Sequence, residues 1–174
     1  MIQRLLDILF SGFAILSLSP ILLPVVVILR FTGEREIFFV QKRVGKDGEL
    51  FNLLKFATML KNSPNIGAGT VTLKDDPRVL PFGKILRKYS IDETPQFISV
   101  ILGDMNIVGP RPALPSQIKL INSRKKFGID KIKPGLTGYA QVNGRDLITD
   151  KKKINLEIQY LKKKKFLIRS GYYC

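Results

Sequence analysis

The sequence predicts an α/β domain of the α+β kind, a small antiparallel sheet with helices around it, carried on an N-terminal membrane segment. Three observations predict it. Residues Ile8 to Leu29 carry no charge. Two short apolar runs follow, Ile37-Phe38-Phe39-Val40 and Leu50 to Phe56, separated by the turn-forming Gly45-Lys46-Asp47-Gly48, which reads as a β-hairpin. Beyond the hairpin, helix signals recur at Pro81 to Tyr89, at Thr94-Pro95 and in the lysine-rich tail.

As one straight helix the uncharged stretch would measure about 33 Å, enough to cross a bilayer. It is too long for the apolar part of a signal peptide, and no small-x-small cleavage site follows it. Ser17-Leu18-Ser19-Pro20 and Pro24 interrupt it, and each proline removes a helix hydrogen bond. Two readings fit: a proline-kinked spanning helix, or a helix that bends near Ser19-Pro20 and leaves by the face it entered, with the serine hydroxyl satisfying a freed carbonyl. In both, the basic remainder from Arg30 onward is cytoplasmic. The expected division is a membrane helix over 1–32, a catalytic domain over 33–149 and a tail over 150–174.

The 29 Lys+Arg against 14 Asp+Glu give a formal charge of +15, which points to anionic partners: nucleic acid, acidic lipid or phosphorylated substrate. There is no histidine, and the only cysteine is Cys174, so imidazole and internal thiol chemistry are excluded. The lone cysteine also provides no disulfide framework, which fits a reducing compartment. Carboxylates remain as acids, bases and nucleophiles. Acids adjoin only at Asp75-Asp76 and Asp92-Glu93. The first pair, before Pro77-Arg78, reads as turn hydrogen bonding and ion pairing.

The second pair has two readings. Ser90-x-x-Glu93 matches a capping box. Pro95 favours a later start with Thr94 as cap, placing Asp92 and Glu93 just ahead of a helix running to about Leu102. The order of charge is informative: Lys84, Arg87 and Lys88, then two carboxylates, then a helix N-terminus. Cations offset phosphate charge, and carboxylate oxygens hold a hard divalent metal. Lys55 on the second apolar run is either solvated or turned to the site. Arg111, between Pro110 and Pro112, is either incidental to a rigid connector or a fixed bidentate phosphate contact. Residues 62–72 read as a loop that covers a site or merely connects. Pro134 to Arg145 is glycine-punctuated, suited to turns or to close approach of a ligand. The tail sets Ile154, Leu156, Ile158 and Leu161 among lysines, an amphipathic helix for an anionic membrane surface or a solvated charge run.

These pieces together resemble the bacterial sugar transferase family, the small monotopic phosphoglycosyl transferases that initiate lipid-linked glycan assembly. The resemblance runs from Met1 to about Arg145. It is carried by Ser19-Pro20, Phe39 to Gly45, Lys55-Phe56-Ala57-Thr58-Met59, Asp75 to Val79, Leu86 to Glu93, Pro95-Gln96, Gly103-Asp104-Met105, Gly109 to Pro112 and Pro134 to Arg145. It implies a re-entrant membrane helix broken at Ser19-Pro20, on the bacterial inner (cytoplasmic) membrane, with the catalytic part on the cytoplasmic face. It implies an Asp92-Glu93 catalytic dyad with Mg2+, which both residues would ligate, Glu93 alternatively being the group that assists the lipid phosphate. Asp92 would attack the β-phosphorus of a UDP-sugar, release UMP and pass the sugar phosphate to polyprenyl (undecaprenyl) phosphate. Lys55, Arg87, Arg111 and Arg145 match as phosphate-binding candidates. Membrane lipids are expected partners and nucleic acid is not.

The chain departs from the family pattern in two places. Ala57 stands where the family usually has arginine, and the lysine-rich tail ends sooner. An inactivated member that still binds nucleotide sugar is therefore one alternative. A membrane-tethered adaptor that binds anionic lipid or nucleic acid through dispersed lysines is another, and it would be indifferent to Asp92 and Glu93.

Overall fold

A computed structural model describes residues 2–66, 76–144 and 148–169. The uncharged stretch lies within one helix, α1 (Ile2–Phe31), long and apolar enough to cross a membrane. Pro20 has no N–H to give the carbonyl of Leu16, and the hydroxyl of Ser19 donates to that oxygen at 2.7 Å instead. The expected break is therefore a replaced backbone hydrogen bond within a helix that stays continuous, rather than a gap between two helices. Phe13, Leu16, Leu23 and Phe31 are exposed, an apolar surface unlike that of a water-soluble helix.

The contacts divide the chain into two compact units, each assembled from separated stretches. One contains residues 1–13, 42–53 and 97–174; the other contains 14–41 and 54–96. The hairpin forms as expected, β1 (Phe38–Val44) pairing with β2 (Leu50–Phe56). Its turn works because Asp47 and Gly48 both take positive φ, 56° and 84°.

In the unit holding 14–41 and 54–96, the core is Val25 and Leu29 of α1, Phe56 of β2 and Leu86 of α2 (Pro81–Lys88), with Ile37, Phe82 and Ile91 packed around them. Arg78 closes the loop side. Its guanidinium makes a two-pronged contact with Asp76 (2.9 and 2.6 Å) and donates to the carbonyls of Ser63 and Ile66, both at 2.7 Å. Asp76 is thus committed to an ion pair, as its turn setting suggested. Asp75 and residues 67–72 of the loop lie outside the described residues.

The other unit contains α3 (Gln96–Leu102) except its first residue, α4 (Ile118–Lys126), α5 (Tyr139–Val142) and α6 (Asp150–Arg169). It also contains a second two-stranded sheet that the sequence did not announce, in which β3 (Asn106–Val108) pairs parallel with β4 (Gly135–Thr137). A parallel pair needs a long crossover, and the segment through α4 supplies it. The two strands meet unusually closely: a Cβ on Gly135 would lie 2.0 Å from the amide nitrogen of Gly109, and one on Gly138 would lie 2.0 Å from its carbonyl oxygen. Glycines here are required by proximity.

Ile154 and Leu161 of α6 are buried with Ala113, Leu120 and Ile129, and Ile158 packs against them, so these three side chains of the tail belong to the protein's own core. A buried two-pronged pair of Arg124 with Glu157 fixes that face inward.

Candidate active site

Three elements of one unit converge on the carboxylate pair. The end of β2 presents Lys55 next to the buried Phe56. Helix α2 presents Arg87. Leu80 at its N-cap donates its amide to the carbonyl of Thr58 at 3.0 Å. Gly83 lets the helix close on that residue, since a Cβ there would stand 2.3 Å from the same oxygen. One turn on, Arg87 Nε donates to Thr58 Oγ1 at 2.8 Å. Thr58 thus grips the helix by its backbone and holds its arginine by its side chain.

After α2 the chain reverses at Ser90, which takes left-handed angles (φ 56°, ψ 22°). A single 3-10 turn, Ile91–Glu93, then carries both acids ahead of α3. The capping box does not form. A cap residue needs extended angles, Ser90 has none and makes no side-chain cap bond, and Glu93 turns instead to Lys55 at 2.9 Å. The Thr94 hydroxyl donates to the Ile91 carbonyl at 2.8 Å and closes the turn. The later helix start, just after the pair, is the one observed.

Asp92 is 7 % exposed. Burial pushes its carboxyl above the usual aspartate range; Lys55 opposes this, Glu93 adds to it, and Arg87 opposes it. The result is a buried carboxylate whose two cationic neighbours keep the charged form accessible. Such a group can act as nucleophile or base. Among the described residues no group of three or more His, Cys, Asp or Glu could hold a metal ion.

Of the residues singled out in the sequence, Lys55, Arg87, Asp92 and Glu93 come together. Arg111 belongs to the other unit, next to the Gly109–Gly135–Gly138 contact, with the following Pro112 buried and its carbonyl taking a 3.1 Å bond from Arg43. Arg145 lies outside the described residues. Sequence reasoning missed Thr58 and Gly83 as site-building residues. The available signal was that Thr58 stands three residues after Lys55 in the same short motif.

The pattern of residues and this dyad can be compared with known proteins. The bacterial sugar transferase family model matches residues 1–170. The chain belongs to the bacterial sugar transferase family. Among relatives of this sugar transferase, an exopolysaccharide production protein, ExoY, of Sinorhizobium fredii is 34% identical over 173 residues, covering 91% of this chain and 76% of the relative. The uncharacterized sugar transferase EpsL of Bacillus subtilis is 37% identical over 160 residues, covering 92% and 77%. The UDP-glucose:undecaprenyl-phosphate glucose-1-phosphate transferase of Escherichia coli is 34% identical, covering 93% of this chain and 36% of that longer protein.

Proposed function

We propose that this sugar transferase moves a sugar 1-phosphate from a UDP-sugar to undecaprenyl phosphate and releases UMP, through a phosphosugar held covalently on Asp92. The observation that carries the reading is the setting of Asp92, buried and flanked by Lys55 and Arg87, in a chain whose relatives include transferases named for this donor and acceptor.

In the first step a carboxylate oxygen of Asp92 forms a bond to the β-phosphorus of the donor. The bond from that phosphorus to the bridging oxygen breaks, and UMP leaves with the electron pair. In the second step a phosphate oxygen of the lipid attacks the same phosphorus, and the Asp92 carboxylate departs. A carboxylate nucleophile divides a difficult transfer into two easier ones. Lys55 and Arg87 provide positive charge where phosphate charge collects. Arg111 and Arg145 are assigned to phosphate binding on the same chemistry.

Asp92 and Glu93 would hold a magnesium ion through their hard carboxylate oxygens, its other ligands ordinarily coming from water and substrate phosphates. When bound it would offset diphosphate charge and stabilise the leaving group. One Glu93 oxygen already accepts from Lys55 at 2.9 Å, so the ion would share that carboxylate with the ammonium. The membrane reading rests on α1, long and apolar enough to cross a bilayer; on the re-entrant path that the family resemblance implies, Ser19-Pro20 is where it would bend, with the basic remainder on the cytoplasmic face of the inner membrane.

The deciding experiment mixes purified protein, magnesium, undecaprenyl phosphate and a panel of UDP-sugars, with Asp92→Asn alongside. UMP release that depends on Asp92 and on one sugar is the expected result. Release of UDP would mean the sugar moves alone and would overturn the covalent mechanism. No nucleotide product across the panel would favour the inactivated-member or adaptor readings, with Ala57→Arg the next variant.

A further inference from the structure

The C-terminal end of α3 carries a feature that the proposed chemistry does not use. Arg4, in the first turns of α1, donates through Nη1 to the carbonyl of Val100 and through Nη2 to that of Ile101, the latter at 2.6 Å. Lys133 donates to the carbonyl of Gly103. Both cations crowd Gly103, whose φ is +100°: Arg4 Nη2 would be 3.3 Å and Lys133 Nζ 3.6 Å from a Cβ built there. All these residues belong to one compact unit.

Capping of helix carbonyls accounts for one cation at this place. The second stands beside it on a neighbouring carbonyl, so two like charges converge at this helix end. Neither cation takes part in an ion pair among the described residues, and both are only half-buried. Arg4 retains uncommitted N–H groups after its two bonds, and Lys133 retains two hydrogens after one.

Beside this charge lies apolar surface. Ile98, Ile101 and Leu102 of α3, at helical spacing, are 41%, 36% and 73% exposed. The unit's portion of α1 adds exposed Leu5, Leu6 and Leu9, and the rings of Phe10 and Phe97 meet at 6.4 Å where the two helices approach. An apolar helix face ending in paired cations, continuous with a membrane-competent helix, matches an amphiphile with a hydrocarbon body and an anionic head.

We propose that the α3 face with Arg4 and Lys133 is a binding site for an anionic phospholipid, its acyl chain along Ile98, Ile101 and Leu102 and its headgroup phosphate between the two cations. The site stands independently of the phosphoglycosyl mechanism.

The test uses full-length protein in a neutral detergent, with thermal unfolding followed as short-chain phosphatidylglycerol or short-chain phosphatidylcholine is added. A ligand that binds the folded state raises the unfolding temperature with concentration. Phosphatidylglycerol should stabilise more, at lower concentration. Arg4→Gln with Lys133→Gln should weaken its apparent affinity by roughly fivefold per cation lost. Arg4→Lys with Lys133→Arg should keep the preference. Lys119→Gln with Lys125→Gln, which removes equal charge from exposed positions of α4, should also keep it. The readout is the difference between the two lipids, so loss of the carbonyl caps alone does not imitate the result. Ile101→Asn should weaken both lipids. Equal effects of the two lipids, equal loss in the α4 control, or the same stabilisation by inorganic phosphate at matched concentration would each overturn the proposal.

Discussion

Two glutamates in this molecule meet a cation away from bulk water, and they differ in what lies beside them. Glu157 receives Arg124 through both carboxylate oxygens, and the two side chains are 3% and 10% exposed. Glu93 receives Lys55 through one oxygen at 2.9 Å, with side chains 13% and 16% exposed, and has the buried Asp92 as its neighbour. The first pair closes on itself, and its fork geometry satisfies both partners. The second sits beside another acid and within the field of Arg87. The first pair fixes a fold, and the second, beside a buried carboxylate, is the one the proposed chemistry would use.

The largest expected effect follows from Asp92→Asn. Turnover should fall by at least about a thousandfold, because in the proposed mechanism the amide could not form the phosphosugar intermediate. The same variant should unfold at a higher temperature at neutral pH. Burial raises the folded-state pKa of Asp92 above the ordinary 3.8, so the folded state binds more protons than the unfolded one between those values. Stability is therefore lost as pH rises through that window and stays lost above it. The stabilisation by asparagine should shrink as pH falls toward 3.8, measured by thermal unfolding in detergent across pH. An Asp92→Asn protein less stable than the parent at neutral pH would remove Asp92 from the class of electrostatically costly residues.

The closed pair makes the opposite prediction. Arg124→Met leaves Glu157 buried without a partner and should cost about 3–5 kcal/mol. Adding Glu157→Leu should recover most of that loss, because an apolar pair of similar volume does without desolvated charge. Thermal unfolding of the single and double variants checks both, and the double should retain sugar transfer. A double variant as unstable as the single would mean that the pair does more than close the core.

Neither pairing was legible in the same way. The hairpin could be read because Gly45-Lys46-Asp47-Gly48 has a backbone requirement that composition reveals, and Asp92-Glu93 stood out because so few acids adjoin. Strands β3 and β4 could not be read, since three residues each show no alternation. The apolar stripe of α6 was visible, but amphipathicity specifies a face and not what covers it. Its cover comes from Leu120 and Ile129, and Arg124 pairs with Glu157 from 33 residues away. Thr58 was invisible as a site-builder for the same reason, because its bond to Arg87 exists only once α2 has docked.

A smaller effect should follow from opening the second pair. Lys55 is the leading influence that lowers the Asp92 pKa against burial. In Lys55→Met that support is gone, so Asp92 should ionise at higher pH. The acid limb of the turnover profile should move upward, with activity recovered as pH rises. Lys55→Arg, which keeps the charge, should hold the limb nearer its original position. A unchanged limb in Lys55→Met would assign the profile to some other group.

The smallest effect concerns Ser90, where the turn that carries Asp92 and Glu93 is set in place. A left-handed residue other than glycine costs roughly 1–2 kcal/mol, and Ser90 recovers nothing through its side chain as a cap. Glycine removes that cost but adds roughly 0.5–1 kcal/mol of unfolded-state entropy. Ser90→Gly should therefore be about 0.5–1 kcal/mol more stable than the parent by thermal unfolding. The strained backbone also narrows the angles available to the turn Ile91–Glu93, and glycine widens them. Turnover should accordingly drop a few-fold while stability rises, and Ser90→Ala, which keeps the Cβ, should leave turnover close to the parent. Stability and turnover falling together in Ser90→Gly would instead mean that the serine makes a contact the fold depends on, and the turn carrying Asp92 and Glu93 would then be held by that contact rather than by backbone geometry.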